Sequence, residues 1–565
     1  MNALQTLLEK ALQKAFPKAP LEIDIAPSDF AHYQCNSALK LAKTLHTKPR
    51  DIAEKIAGAL EIGKILEKAE IAGPGFINLY LSQSFLENRL EEMLSSPFLD
   101  IARPQKPQKV IVEFSSPNTA KELHVGHLRS TLIGDTIARL FEFLGHEVLR
   151  LNHIGDWGTQ FGMLIAHLKE RHTALFTGEE KTDLPHLMKW YKEAKVRFDT
   201  DPEFKKRSQL EVVALQGGDS ETLKAWETIC AISRQGYQEI YDLLDIRLQE
   251  RGESFYNPLL KQTVQDLEKT GIVELSDGAK CIFIEGYEIP LMIQKSDGGY
   301  NYDTTDMAAL RHRINVEKAD RLIYITDLGQ SLHFQLVFKA AERAGWWDPQ
   351  QTRIDHVGFG LVLGSDGKKF KTRSGDTEKL IDLLYAAIDH AEKILLEREP
   401  EQDSLERKTL AKALGLAAVK YADLSCHRTS DYTFSYEKML RFDGNTAAFL
   451  MYAYVRILGI ERKAGPESTQ RANEAKIHLS HPSEKALALH LIRFEEALNT
   501  FSDTLLPNRL TDYLYTLAET FNAFFRDCQV VGSTEMPSRL RLCHISLKVL
   551  KQGFDILGLP VVTKM

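Results

Sequence analysis

Two imidazoles three residues apart, in His124-Val125-Gly126-His127, are the sharpest chemical signal in this chain of 565 residues. They lie between KVIVEF, a short apolar run of the kind buried in a parallel sheet, and LRSTLIGDTIARLFEFLG, a helical pattern closed by Gly145. A helix N-terminus carries unpaired N–H groups and the positive end of the macrodipole, so it attracts phosphate. Histidines placed there can donate hydrogen bonds to a triphosphate, and Gly126 would let a nucleotide approach the backbone. Satisfied loop histidines are the ordinary alternative. Far downstream, Gly367-Lys368-Lys369-Phe370-Lys371-Thr372-Arg373-Ser374-Gly375 brackets four cationic side chains with glycines. Such a loop suits closure over a polyphosphate as charge moves to the leaving group, although a basic surface turn would look the same.

The elements that must position these groups are legible around them. EVLRLN follows the helix as a second strand, which completes a βαβ unit of a doubly wound nucleotide-binding fold. Residues 160–290 are mostly helix-like and acidic and read as an insertion. Strand signals return at CIFIEG, RLIYIT and DHVGFGLVLG, predicting a sheet built from both sides of it. Upstream, an amphipathic helix, LEIDIA, two helix-like stretches (NSALKLAKTLHT and PRDIAEKIAGALEIGKILEK) and FINLYL form an α+β module that ends at the Pro- and Lys-rich linker ARPQKPQK. From about residue 376 the pattern is nearly all helix, including SEKALALHLIRFEEALNTF as one helix, and predicts a bundle. The expected fold is therefore α/β: an N-terminal α+β domain (1–103), a Rossmann-type parallel-sheet catalytic domain (104–375, helical insertion about 165–285) and an all-α C-terminal domain (376–565).

Composition excludes several classes. Hydrophobic residues at 43%, charged residues at 26% and aromatics at 9% are those of an ordinary soluble protein and not of a collagenous or disordered chain. No window approaches the roughly 20 uncharged apolar residues that a bilayer span needs, and the N-terminus lacks a signal-peptide pattern. The six cysteines are scattered without C-x-x-C, which favours a reducing cytoplasm and argues against a structural metal. The net charge of −7 divides into slightly basic ends around an acidic middle, a difference small enough to arise by chance.

H-V-G-H with the later K-K-F-K-T-R-S is similar to the HIGH and KMSKS signatures of class I aminoacyl-tRNA synthetases. Ser115-Ser116-Pro117-Asn118-Thr119-Ala120-Lys121, Gly155-Asp156-Trp157-Gly158-Thr159-Gln160-Phe161-Gly162, Tyr302-Asp303-Thr304-Thr305-Asp306 and Phe370-Lys371-Thr372-Arg373 resemble the arginyl-tRNA synthetases over essentially the whole chain. One departure is Thr372, where the class signature normally has a lysine; in the variant loop a lysine just upstream of the histidines is thought to substitute, here Lys121.

The resemblance implies arginine activation by ATP with Mg²⁺, then transfer to the terminal adenosine of tRNA(Arg), by a monomer that needs no membrane. It implies catalytic roles for His124, His127, Lys121, Lys369 and Lys371, with Gly126, Gly358, Phe370 and Thr372 joining His124, His127 and Lys371 around ATP. A guanidinium has five donors and no acceptor, so its pocket needs carboxylates and amide oxygens. The resemblance supplies Glu113, Asn118, His124, Tyr302, Asp306 and Gln330, and Tyr302 and Asp306 are four apart, hence on one side of a helix. Glu113 has an ordinary alternative as a strand-end carboxylate paired with a nearby Lys. For tRNA contact the candidates are Phe76, Asn78, Tyr452, Arg456 and Met565, with Tyr454 beside them; aromatics at that spacing are more often core. A small-molecule nucleotidyltransferase is the rival of another class, and a non-catalytic RNA-binding derivative is a third reading.

Overall fold

The computed structural model describes residues 2–177, 179–364, 366–368 and 378–565. In the N-terminal module β1 (Ile25–Pro27), β2 (Tyr33–Cys35), β3 (Leu66–Ala72) and β4 (Phe76–Leu81) form an antiparallel sheet in the order β1-β2-β4-β3. Helices Ser37–Leu45 and Pro49–Ala59 pack on it. The second helix stops nine residues short of the expected Lys68. Gly63, at φ +119°, turns the chain, and Leu66 is fully buried opposite Leu81, so tertiary burial claims ILEKAEIA for the sheet.

The central sheet is parallel throughout. It joins β5 (Lys109–Glu113), β6 (Glu147–Asn152), β7 (Gln249–Glu250), β11 (Arg321–Asp327) and β12 (Arg353–Phe359) in the order β12-β11-β5-β6-β7. RLIYIT and DHVGF enter it from beyond the insertion, as expected. CIFIEG does not. Its first residues belong to β9 (Ala279–Ile282), which lies between β8 (Glu274–Ser276) and β10 (Leu291–Gln294) in a separate antiparallel sheet. The cause is local: Ser276 pairs with Ala279 across Asp277-Gly278, both at positive φ, so a two-residue hairpin turn commits the segment to antiparallel pairing.

Helix Val125–Phe143 lies against the sheet at close range, because a Cβ on Gly134 would sit 2.1 Å from Phe114 Cγ. The insertion includes helices Thr159–Arg171, Leu184–Thr200, Pro202–Gln216 and Ser220–Leu243. The C-terminal helices include Ser404–Leu424, Ala447–Ala464, Asn508–Asp527 and Met536–Leu557 around buried Phe521, Phe524 and Phe554. SEKALALHLIRFEEALNTF is two helices, Pro482–Ile492 and Phe494–Thr504, interrupted at Arg493. Arg493 donates to the His32 carbonyl, and Tyr33 OH donates to Glu496 at 2.6 Å, so the break coincides with docking of the N-terminal module. Among the described residues no helix is long and apolar enough to cross a membrane.

Candidate active site

The two signature histidines build the start of their own helix. His124 is its N-cap; its Nδ1 accepts from Gly126 N–H at 3.0 Å, while His127 Nδ1 accepts from His124 N–H at 3.1 Å, a reciprocal capping box made of imidazoles. The rings lie 4.1 Å apart between centroids. Burial, with His124 and Lys121 nearby, pulls His127 down to about 3, so its ring is neutral at physiological pH. With Nδ1 accepting, the proton of neutral His127 sits on Nε2, which makes that nitrogen a donor. The expected attraction by unpaired N–H groups is thus revised: those of His124 and Gly126 are spent on the rings. Gly126 is also there for His124, since a Cβ on it would lie 2.8 Å from that ring's Cε1.

The loop between β5 and the helix is held in an uncommon backbone. Ser115, Ser116 and Ala120 all have positive φ (68°, 47° and 62°), a conformation that persists only where the surroundings enforce it. Ser115 Oγ meets Tyr241 OH at 2.7 Å, Tyr237 OH donates to the Asn118 carbonyl at 2.6 Å, and Thr119 N–H donates to the Gly155 carbonyl at 3.0 Å. Asn118 is exposed, with Oδ1 over Gly155 at a spot where any Cβ would stand 2.2 Å away. Asp156 accepts from Ser254 N–H and Oγ at 2.8 and 2.6 Å, tying the GDWG segment to helix Glu253–Lys269.

Carboxylates gather nearby. Tyr302 and Asp306 open helix Tyr302–Asn315 on one side, as their spacing predicts, and both meet His333. Sequence reasoning missed His333, whose Nε2 is 2.6 Å from Asp306 Oδ2 and whose Nδ1 is 3.2 Å from Asp303 Oδ1. It also missed Glu253, which burial, with Asp306 and Asp156 near, pushes up to about 8. The signal for His333 was present in TDLGQSLHF; Glu253 had none, since the fold alone brings it to Asp306. Glu113 is buried with Oε2 2.5 Å from Arg313 Nη2, so the nearby cation foreseen as a lysine is an arginine of the same helix as Asp306. Gln330 ends a short 3₁₀ turn, exposed, after β11.

The cationic loop is described only at its anchors. Lys369, Phe370, Lys371 and Thr372 lie outside the described residues. On the near side, Lys368 C=O accepts from Gly364 N–H at 2.8 Å. On the far side, Lys379 forms an antiparallel bridge with His124, Leu380 N–H donates to the Leu123 carbonyl at 2.9 Å, and Lys379 Nζ is 2.8 Å from Glu122. The end of the loop is therefore stitched to the residues that begin H-V-G-H. Gly358, in β12, is buried under Leu328, whose Cδ2 would be 2.6 Å from an added Cβ, so its backbone and not open space is what it offers. Lys121 is exposed in the loop before the histidines.

The terminal candidates separate by exposure. Phe76 is half-buried at the start of β4, and Asn78 is 8% exposed, its Oδ1 accepting from Gln34 at 2.9 Å. Tyr452 is 44% exposed with the Arg456 guanidinium 4.8 Å from its ring centre, whereas Tyr454 is buried against Phe554. Tyr454 is therefore core and not a nucleotide contact. Met565 packs partly against the bundle core.

Comparison with known proteins bears on the whole chain. Family models for the N-terminal domain of arginyl tRNA synthetase, the class I (R) tRNA synthetase catalytic domain and the DALR anticodon binding domain match residues 2–81, 89–436 and 450–565. The chain is 59% identical over 580 residues to the arginine–tRNA ligase of Protochlamydia amoebophila, covering 100% of this chain and 99% of that one. It is 53% identical to that of Chlamydia caviae, with 100% and 99% covered. Its structure is similar to the arginyl-tRNA synthetases of Plasmodium falciparum (TM-score 0.89, 34% identity, 100% and 99% covered) and Thermus thermophilus (TM-score 0.82, 25% identity, 100% of each covered).

Proposed function

The chain belongs to the class I arginyl-tRNA synthetases, and from that premise we propose how its residues carry the reaction of an arginine–tRNA ligase. Arginine's carboxylate attacks the α-phosphorus of ATP, pyrophosphate leaves, and the arginyl-adenylate is taken by the 2′-hydroxyl of the terminal adenosine of tRNA(Arg) with release of AMP. No side chain forms a covalent bond to the substrate. Catalysis is positioning plus stabilisation of phosphate charge.

We assign the Nε2–H group of His127, the adjacent His124 ring and the cations Lys121, Lys369 and Lys371 to the phosphates, with magnesium entering on ATP and held by its phosphate oxygens. The reading rests chiefly on the Lys379–His124 bridge, which pairs the chain just after the cationic segment with the first imidazole. Gly126 shapes His124, and Gly358, Phe370 and Thr372 complete the ATP side. For arginine, Asp306 is the principal acceptor, with Tyr302, Asn118 and Gln330 around it; any contact from Glu113 would run through Oε1, since Arg313 holds Oε2. Phe76, Asn78, Tyr452, Arg456 and Met565 are assigned to tRNA contact, in a monomer working in the cytoplasm.

Pyrophosphate exchange with each of the twenty amino acids, with and without total tRNA, tests the specificity. Exchange should depend on arginine alone; exchange without any amino acid, or equally with lysine, overturns it.

A further inference from the structure

His333 stands between two carboxylates, hydrogen-bonded to Asp306 and at ion-pair distance from Asp303, and one neutral imidazole cannot offer a donor to both. Its Nδ1 faces Asp303 Oδ1 at 3.2 Å and its Nε2 faces Asp306 Oδ2 at 2.6 Å. A carboxylate only accepts, so each contact needs an N–H, and only imidazolium has both. Asp303 is fixed independently, its Oδ2 accepting from Met292 N–H at 3.2 Å. The His333 side chain is 13% exposed and that of Asp306 22%, so both reach solvent.

From this geometry we infer that His333 is a stand-in cation: with no amino acid bound its imidazolium holds Asp306, and the guanidinium of arginine takes its place, so that binding expels a proton from the pocket. The inference rests on the assignment of Asp306 to the guanidinium. Two cations on one carboxylate repel, and the imidazolium is the one that can discharge, by loss of the Nε2 proton to solvent; Nδ1–H can stay on Asp303. A carboxylate already held in place and ionised by an internal cation also spares the substrate the work of ordering it.

The surroundings support exchange over retention of both charges. Burial works against a charged ring, but the hydrogen bonds to Asp303 and Asp306 prevail and hold it up at about 9, so the ring is charged at neutral pH in the empty site. Facing it are Tyr302, whose ring centre is 5.1 Å away, and His356 on β12, kept neutral by burial and Arg428 at about 4. Glu253 faces Asp306 and is raised to about 8, so near neutral pH it is largely protonated and supplies little compensating negative charge. Asp327 lies beyond His356.

Calorimetry of the full chain with L-arginine at pH 7.5, in buffers of different ionisation enthalpy, reads the proton directly. Release of about half to one proton per arginine is expected, and its absence in His333→Asn and His333→Gln, each checked for a native melting transition. Zero release by the unaltered protein overturns the inference, as does release persisting in either folded variant. Asp306→Asn separates the two layers. If it binds arginine normally, the pocket assignment itself fails; if it loses arginine while the unaltered protein releases no proton, only the exchange fails.

Discussion

Arg129 Nε stands 3.1 Å from Asp423 Oδ2, with neither side chain more than 1% exposed. The pair fastens the helix that starts at the signature histidines to helix Ser404–Leu424, and Arg129 Nη1 also donates to the Ser430 carbonyl at 2.9 Å. Removing one member strands a buried charge, so Asp423→Ala should lower stability by about 3–5 kcal/mol. Replacing both, as Arg129→Met with Asp423→Leu, should recover most of that loss. Denaturant unfolding of the three proteins checks the order, and a milder effect of the single change would refute it.

Asp306→Ala should raise the arginine KM roughly 10–100-fold, as expected for losing a charged hydrogen bond worth about 1.5–3 kcal/mol, while the KM for ATP stays put. Steady-state charging with either substrate varied measures it. An unchanged arginine KM and kcat would sink the pocket assignment.

His127→Ala should slow adenylate formation by roughly 10²–10³-fold with the fold retained, the size seen when one donor to developing charge is removed. Gly126→Ala should act in the same direction with both imidazoles retained, because a Cβ there would stand 2.8 Å from the His124 ring and displace it. Single-turnover activation assays distinguish the two from wild type. Unaltered rates in Gly126→Ala would show that the ring does not need that place.

Stability should fall toward both ends of the pH range, through different histidines. His127, His356 and His490 are all depressed chiefly by burial, to about 3, 4 and 4. Between those values and 6.5 the unfolded chain binds the protons the folded one refuses, so stability falls as pH drops through 6.5, by about 1.4 kcal/mol for each pH unit a buried ring is kept neutral. His333 is raised, so its contribution is complete below 6.5 and is lost as pH climbs through about 9. Melting temperatures from pH 4.5 to 10 should trace a plateau near neutrality, and His490→Phe should flatten the acid side.

The parallel core, the helix behind H-V-G-H, the helical C-terminal domain and the family were legible in the residues alone, because these depend on local periodicity and contiguous motifs. Tyr302 and Asp306 shared a side because helical spacing alone dictates it. The long-range partners came from packing. Glu113 met Arg313, His333 took both Asp303 and Asp306, ILEKAEIA became a strand under Leu81, and Tyr454 turned inward. Spacing tells which side chains share an element's face. Which charge a second element brings against that face is fixed by packing, and in a pocket of several carboxylates that choice sets who is ionised and who must yield to the substrate.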